Sequence, residues 1–234
     1  LQLGLLELKY RKKQETSLPP FIDYTNEFFR LLPFTPTGAQ KRAISEAMAD
    51  MTDLKNRSPM SRLVQGDVGS GKTAVAAALC YSVIKNGVQA ALMAPTEILA
   101  QQHYASISNI LKNTGISVGL LTGSVTPAKK RKLIEQLQDG SIQMVIGTHA
   151  LISETVAFKN LGLVITDEQH RFGVAQRSLL AEKGNHPHML VMSATPIPRT
   201  LALIIYGDLD ISVLDELPPG RQTIETYAIS SRKR

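Results

Sequence analysis

The plainest chemistry in this chain lies in Gly66-Asp67-Val68-Gly69-Ser70-Gly71-Lys72-Thr73, which fits the pattern G-x-x-x-x-G-K-[ST]. Glycines without a Cβ let backbone N–H groups converge on phosphate oxygens. A helix opening at the end of the loop adds unsatisfied donors and the positive end of its dipole. Lys72 is then placed to reach the β and γ phosphates, and the Thr73 hydroxyl to bind Mg²⁺. Such a loop needs a carboxylate from a second strand, and Leu163-Val164-Ile165-Thr166-Asp167-Glu168 offers two after an apolar run. Asp167 would hold Mg²⁺ through its water shell, and Glu168 would orient and polarise an attacking water. The bland alternative is a Gly-rich turn and a solvated acidic pair. The strand–loop–helix context and the presence of both features in one chain favour ATP and Mg²⁺ as cofactors.

These residues need a frame that brings strand ends together. Apolar runs predict strands at Arg62–Gly66, Ala90–Ala94, Val118–Thr122, Gln143–Gly147, Leu163–Asp167 and Met189–Ser193. Several are continuous rather than alternating, as in strands covered on both faces. Helical patterns separate them at Gly38–Met51, Thr73–Lys85, Glu97–Lys112, Ala128–Gln138 and Arg199–Ile205. The alternation predicts an α/β fold: a parallel sheet with helices on both faces. Three regions are expected: residues 1–33 as a helix and connector from an upstream domain, 34–217 as the compact domain, and 218–234 as a linker opening at Pro218-Pro219-Gly220.

Bulk properties set bounds on function. The chain has 234 residues, 43% hydrophobic and 20% charged, enough for one substantial core without disulfides. Its single cysteine, Cys80, excludes an internal disulfide, lies in an apolar helical run and reads as core; cysteine usage of this kind suits a reducing, cytoplasmic setting. No apolar stretch reaches the roughly 18 residues of a membrane helix. A net charge of +6 favours a polyanionic partner. Aromatics are sparse at 5%, which argues against a stacking platform for single strands. No His/Cys cluster has metal-ligand spacing, and His103, His186 and His188 read as surface residues.

Gln169 and His170 complete an Asp-Glu-x-His box, and such a box after a P-loop resembles the superfamily-two helicases. Further segments resemble that superfamily in its own order. Leu32 to Gln40 is similar to the adenine-reading segment, Ala94 to Gln102 to motif Ia and Thr122-Gly123-Ser124 to motif Ib. Gly147-Thr148-His149 is similar to motif Ic, and Ser193-Ala194-Thr195 to motif III. The stretches Asp167 to Arg177, Ser193 to Ala202 and Asp208 to Arg221 resemble the RecG type within it, with resemblance over residues 30–234. Transcription-repair coupling factors share Arg171-Phe172-Gly173-Val174 but usually carry a second Glu where this chain has Gln169. They are the alternative.

The resemblance implies a RecA-like P-loop NTPase domain, the first motor domain of an ATP-dependent DNA helicase that remodels branched DNA. It implies that Gln40 bonds the adenine edge, that Phe34 packs near the base, and that His170, with Gln169, couples the γ-phosphate site to Ser193, Ala194 and Thr195. Thr96, Gln102, Thr122, Gly123, Thr148 and His149 become candidates for sequence-independent contacts to the DNA backbone. Loop capping is the competing reading for these, above all for Thr96 before a helix. Lys129, Lys130, Arg131 and Lys132 cluster at a helix start, where the dipole disfavours cations; a nearby polyanion or a solvated face would account for them. Relatives of this kind carry a wedge domain upstream and a second motor domain downstream that supplies an arginine finger. The segment by itself is therefore expected to be a monomer of little turnover. Two rival classes remain: a P-loop small-molecule kinase, disfavoured by the distant DExH box, and a nucleotide-gated binding module, disfavoured by Glu168 for the whole protein but, for this segment by itself, an alternative as a nucleotide- and DNA-binding module without turnover.

Overall fold

A computed structural model describes residue 16 and residues 18–53, 58–168, 179–195 and 209–218. Seven strands form one sheet: β1 (Ser61–Gly66), β2 (Gln89–Met93), β3 (Val118–Leu121), β4 (Met144–Gly147), β5 (Leu161–Glu168), β6 (His188–Ser193) and β7 (Asp210–Leu214). Their order is β3-β4-β2-β5-β6-β1-β7, and every neighbouring pair is parallel. The helices are α1 (Thr25–Phe29), α2 (Gly38–Thr52), α3 (Lys72–Lys85), α4 (Glu97–Leu111) and α5 (Pro127–Asp139), with a 3₁₀ turn at His149–Ile152.

Side-chain alternation along the strands explains why both faces are covered. On β2, Ala90 and Leu92 point into one apolar cluster, while Ala91 and Met93 point into another. On β5, Leu163 and Ile165 face the first cluster and Val164 the second. The first cluster is built around α3, whose residues Ala74 to Ile84 are all buried. A helix apolar all round belongs in the interior, and α1, α2 and α4 pack against it. Cys80 lies there fully buried, and burial pushes its thiol above the ordinary range, as a core role requires. The segment read as a connector supplies Phe21 and Phe28 to this same core.

Six predicted strands and four predicted helices stand within about two residues of their expected bounds. Strand β7 was not foreseen. It is short and at the sheet edge, with Asp210, Ile211 and Val213 at least partly open to solvent, so it lacks the apolar run that marks an interior strand. Arg62 anchors it: this buried guanidinium on β1 donates to Ser212 Oγ at 2.9 Å, to Glu46 Oε2 at 3.2 Å, and twice to Asp50 Oδ2 at 2.9 and 2.7 Å. The group joins β1, β7 and α2. Burial raises the Asp50 carboxyl pKa, partly opposed by Arg62.

Two histidines expected at the surface are inside. His188 is 3% exposed. It opens β6 between two other strands, its Nδ1 accepts the Met60 N–H at 2.8 Å, and Phe21 packs edge-on at 5.1 Å. Burial lowers its pKa to about 4. His103 is buried on α4, for reasons taken up below. His186 is exposed, as expected. Among the described residues no helix is long and apolar enough to cross a membrane. The helix expected at the start of the 1–33 region, the helix Arg199–Ile205 and residues 219–234 of the expected linker lie outside the described residues.

Candidate functional site

Parallel strands all present their carboxyl ends to one edge of the sheet, where open α/β folds bind ligands. Here Glu168 on β5 pairs in register with Ser193 on β6, and Ser193 with Gln65 on β1. The acidic pair, the Ser193-Ala194-Thr195 turn and the start of the phosphate loop therefore lie side by side at one level. Ser193 Oγ and Thr195 Oγ1 are 3.0 Å apart, and Ser193 Oγ also accepts the Thr195 N–H at 3.3 Å, which closes that turn on itself.

Between β1 and α3 the loop turns through Gly69 (φ 84) and Gly71 (φ 87), left-handed conformations that favour glycine. Lys72 folds back over it: Nζ donates to Gly66 O at 2.6 Å and to Asp67 O at 2.9 Å. Burial lowers the Lys72 pKa, with Asp167 and Asp67 acting in the opposite direction. Asp167 is thus close enough for its charge to be felt at the loop lysine. Asp67, Val68 and Gly69 are exposed at the rim and Thr73 is half-buried, whereas Gly66 and Ser70 are enclosed.

Gln40 lies directly under this loop and is 1% exposed. It is the third residue of α2, where Thr37 and Gln40 form a reciprocal capping box. Its Oε1 accepts the Thr37 N–H at 3.0 Å, and its Nε2 donates to Ser70 O at 2.8 Å. Each end of the amide keeps one hydrogen-bonding position in reserve. Phe34 stands nearby in sequence as an exposed aromatic, 45% accessible. Gln169 and His170 lie outside the described residues, as does the side chain of Glu168.

Comparison with known proteins decides what frame this geometry belongs to. The family model for DEAD/DEAH box helicases matches residues 37–204. The chain belongs to the DEAD/DEAH box helicase family. It is 55% identical to the ATP-dependent DNA helicase RecG of Aquifex aeolicus over 231 residues, covering 96% of this chain and 28% of that protein. Its likeness to the RecG of a Synechocystis strain is 52% over 237 residues, covering all of this chain and 28% of that protein. Among solved structures, RecG bound to a three-way DNA junction superposes with a TM-score of 0.81 at 48% identity, covering 96% of this chain and 30% of that one. The chain thus spans less than a third of the length of these relatives. The preference for the RecG type over the coupling factor agrees with these likenesses.

In this DEAD/DEAH box helicase domain the other half of the strand edge carries the motif I-series segments. Met93 pairs with Gly147 and with Thr166, and Gly147 with Leu121, so the ends of β3, β4 and β2 are also level. Thr96, Gln102, Gly123 and His149 are exposed along that edge. Thr122 and Thr148 are each 2% exposed. The Thr122 hydroxyl is 3.0 Å from Ser124 Oγ, and the Thr148 hydroxyl is enclosed with no hydrogen-bond partner. Contacts from those two positions to an outside ligand would therefore run through backbone atoms. Thr96 caps α4 by accepting the Leu99 N–H at 3.3 Å, so the capping reading holds for its hydroxyl in this state.

Two residues of the helicase domain were not foreseen as part of the site. Glu97 Oε1 accepts the Ser124 N–H at 3.1 Å, joining motif Ia to motif Ib. His103 Nε2 lies 2.6 Å from Asp167 Oδ2. A signal for the second was present: Ala100, His103, Ile107 and Leu111 recur at helical spacing and form the buried stripe of α4. A histidine on such a stripe faces inward, since the helix packs on β3 and β4.

Proposed function

We propose that this chain is the nucleotide-binding motor segment of an ATP-dependent DNA helicase that remodels branched DNA, in the manner of RecG. The observation that carries the reading is the level alignment of the phosphate loop, the Asp167-Glu168 pair and the Ser193 turn on three adjacent strands. The motif Ia, Ib and Ic segments continue the same edge. RecG relatives at half identity and a RecG–junction complex as structural match support the DNA class.

In this reading Lys72 exchanges its two loop carbonyls for phosphate oxygens when ATP binds. Phe34 covers the base, and Gln40 spends its remaining donor or acceptor on the adenine edge. The donor set suits Mg²⁺ that arrives with the nucleotide: one hydroxyl, Thr73, and one carboxylate, Asp167, with no cluster of three or more acidic, His or Cys ligands among the described residues. Bound there, Mg²⁺ neutralises charge building on the β and γ phosphates. Glu168 orients the attacking water. His170 and Gln169 carry the state of the γ-phosphate to the Ser193-Ala194-Thr195 turn. Thr96, Gln102, Gly123 and His149 contact DNA phosphates without reading bases. The protein works as a monomer in the cytoplasm.

The test is phosphate release by the full-length protein on a three-way junction, a linear duplex and no DNA, with Lys72→Ala as the comparison. Junction-stimulated release that disappears in the variant, at unchanged melting temperature, is the expected result. Release unaffected by Lys72→Ala overturns the site, and release indifferent to DNA overturns the motor.

A further inference from the structure

Helix α4 reaches both halves of the strand edge. In its first turn, Glu97 holds the Ser124 N–H, next to the exposed Thr96 and Gly123. A Cβ on Gly123 would stand 2.9 Å from Glu97 Oε1, so the Gly123-Ser124 turn is seated tightly on that carboxylate. About 9 Å further along the same helix, at 1.5 Å per residue, His103 points inward. Its side chain and that of Asp167 are 11% and 17% exposed, and the two are joined at 2.6 Å.

An ionised carboxylate only accepts hydrogen bonds, so the imidazole donates its Nε2–H to Asp167 Oδ2. One carboxylate oxygen is then fixed in plane and in rotamer, and Oδ1 is left for the metal or its waters. Partners of this kind orient the groups that hold a metal. A packing role would be served by any side chain filling the stripe between Ala100 and Ile107. A buried donor aimed at the Asp167 carboxylate does more than fill space.

We propose that His103 is a positioning residue. It fixes the Asp167 carboxylate for Mg²⁺, and it ties the position of that carboxylate through α4 to the DNA-facing turns at Thr96 and Ser124. The proposal rests on the function given above and adds a physical route by which DNA contact adjusts the nucleotide site. The route is the first two turns of one helix, with Glu97 on the Ser124 turn and His103 on Asp167.

The test uses the full-length protein with His103→Gln, which keeps an N–H donor, and His103→Met, which fills similar volume without one. The first measurement is the Mg²⁺ dependence of binding of a fluorescent ATP analogue. The Met variant is expected to need about 10- to 100-fold more Mg²⁺, the Gln variant to stay close to wild type, and Mg²⁺-free binding to be the same in all three. The second is the ratio of ATPase with and without junction DNA, which falls in the Met variant and is largely restored in the Gln variant. A Met variant with wild-type Mg²⁺ dependence overturns the proposal, and so do Gln and Met variants impaired alike. A third measurement holds even if the Met variant does not fold. Nitrogen NMR of the histidine-labelled wild type should show His103 with its proton on Nε2, and a proton on Nδ1 alone overturns the donation. Wild-type Mg²⁺-dependent binding and DNA stimulation test the functional reading separately, without reference to His103.

Discussion

The side chain of Gln40 donates to the main-chain oxygen of Ser70 at 2.8 Å, and the same amide closes the first turn of α2 by accepting the Thr37 N–H. One residue thus sets the start of a helix and the floor of the phosphate loop. The loop is tight above it: Gly71 has φ +87, and a Cβ there would run into Gln40 Nε2. The conformation of the loop is therefore held from below before any nucleotide arrives, and the residue that holds it is the one expected to read adenine.

Replacing Gln40 by Ala leaves Thr37 as the N-cap but removes two side-chain hydrogen bonds, one from the Thr37 N–H and one to Ser70 O, each worth about 1 kcal/mol. For a domain of this size a loss of about 2 kcal/mol lowers the melting temperature by about 4–8 °C. Gly71→Ala should cost about 1–2 kcal/mol for the left-handed backbone, plus the displacement of Gln40. The second part vanishes when Gln40 is already Ala, so the two changes should cost less together than their sum. Thermal melts of the single and double variants check this; strict additivity would show that the two residues do not press on one another.

Asp167→Asn and Glu168→Gln should separate binding from turnover. The first weakens Mg²⁺-dependent binding of ATP, because it removes the carboxylate proposed to hold the metal. The second leaves binding intact and lowers hydrolysis about 10²-fold or more. Titrations with a fluorescent ATP analogue and single-turnover hydrolysis distinguish them. Equal losses of affinity in both variants would reverse the assignment.

His188 should make the domain lose stability in mild acid. Burial holds its pKa at about 4 in the folded state, against an ordinary histidine value of 6.5. The unfolded chain therefore binds more protons between those values, and stability falls as pH drops through that window. Above pH 6.5 the residue contributes nothing to this slope, and below pH 4 the full penalty has been incurred, at most about 3 kcal/mol. Protonation would also take away the lone pair that accepts the Met60 N–H. Urea midpoints from pH 7 to pH 4 should show the slope in the parent and a weaker one in His188→Asn.

DNA affinity of the domain should be indifferent to sequence and fall steeply with salt. Each phosphate neutralised adds about −0.9 to the slope of log affinity against log salt. The exposed edge residues Thr96, Gln102, Gly123 and His149, and the cations Lys129, Arg131 and Lys132 on α5, are all suited to phosphate rather than to base edges. Titrations on two unrelated duplexes at several salt concentrations decide it. A flat salt response or a strong sequence preference counts against the assignment.

Much of this fold is legible in the sequence because interior parallel strands have no polar face to disguise them. The runs ending in Gly66, Gly147, Asp167 and Ser193 advertise both their strands and their ends, which is where the chemistry sits. Strand β7 escapes because an edge strand needs only one partner and tolerates Asp210 and Val213 in solvent. His188 and His103 escape for a different reason. A histidine's ordinary character is polar, and only its neighbours in space, a Met60 N–H in one case and the Asp167 carboxylate in the other, make burial affordable. The second Gln40 contact escapes too, since Ser70 is a loop backbone oxygen that no side-chain pattern can announce.

The strand that carries the phosphate loop finds both of its neighbours far downstream. Met60, just before β1, bonds to His188 across 128 residues, and Arg62 to Ser212 across 150. Synthesis at about 5–20 residues per second puts roughly 6–26 s between the appearance of β1 and that of its first partner. Through that interval Leu63 and Val64 have no neighbouring strand to pair with. A ribosome that pauses before residue 188 would leave this apolar strand without either of its neighbours.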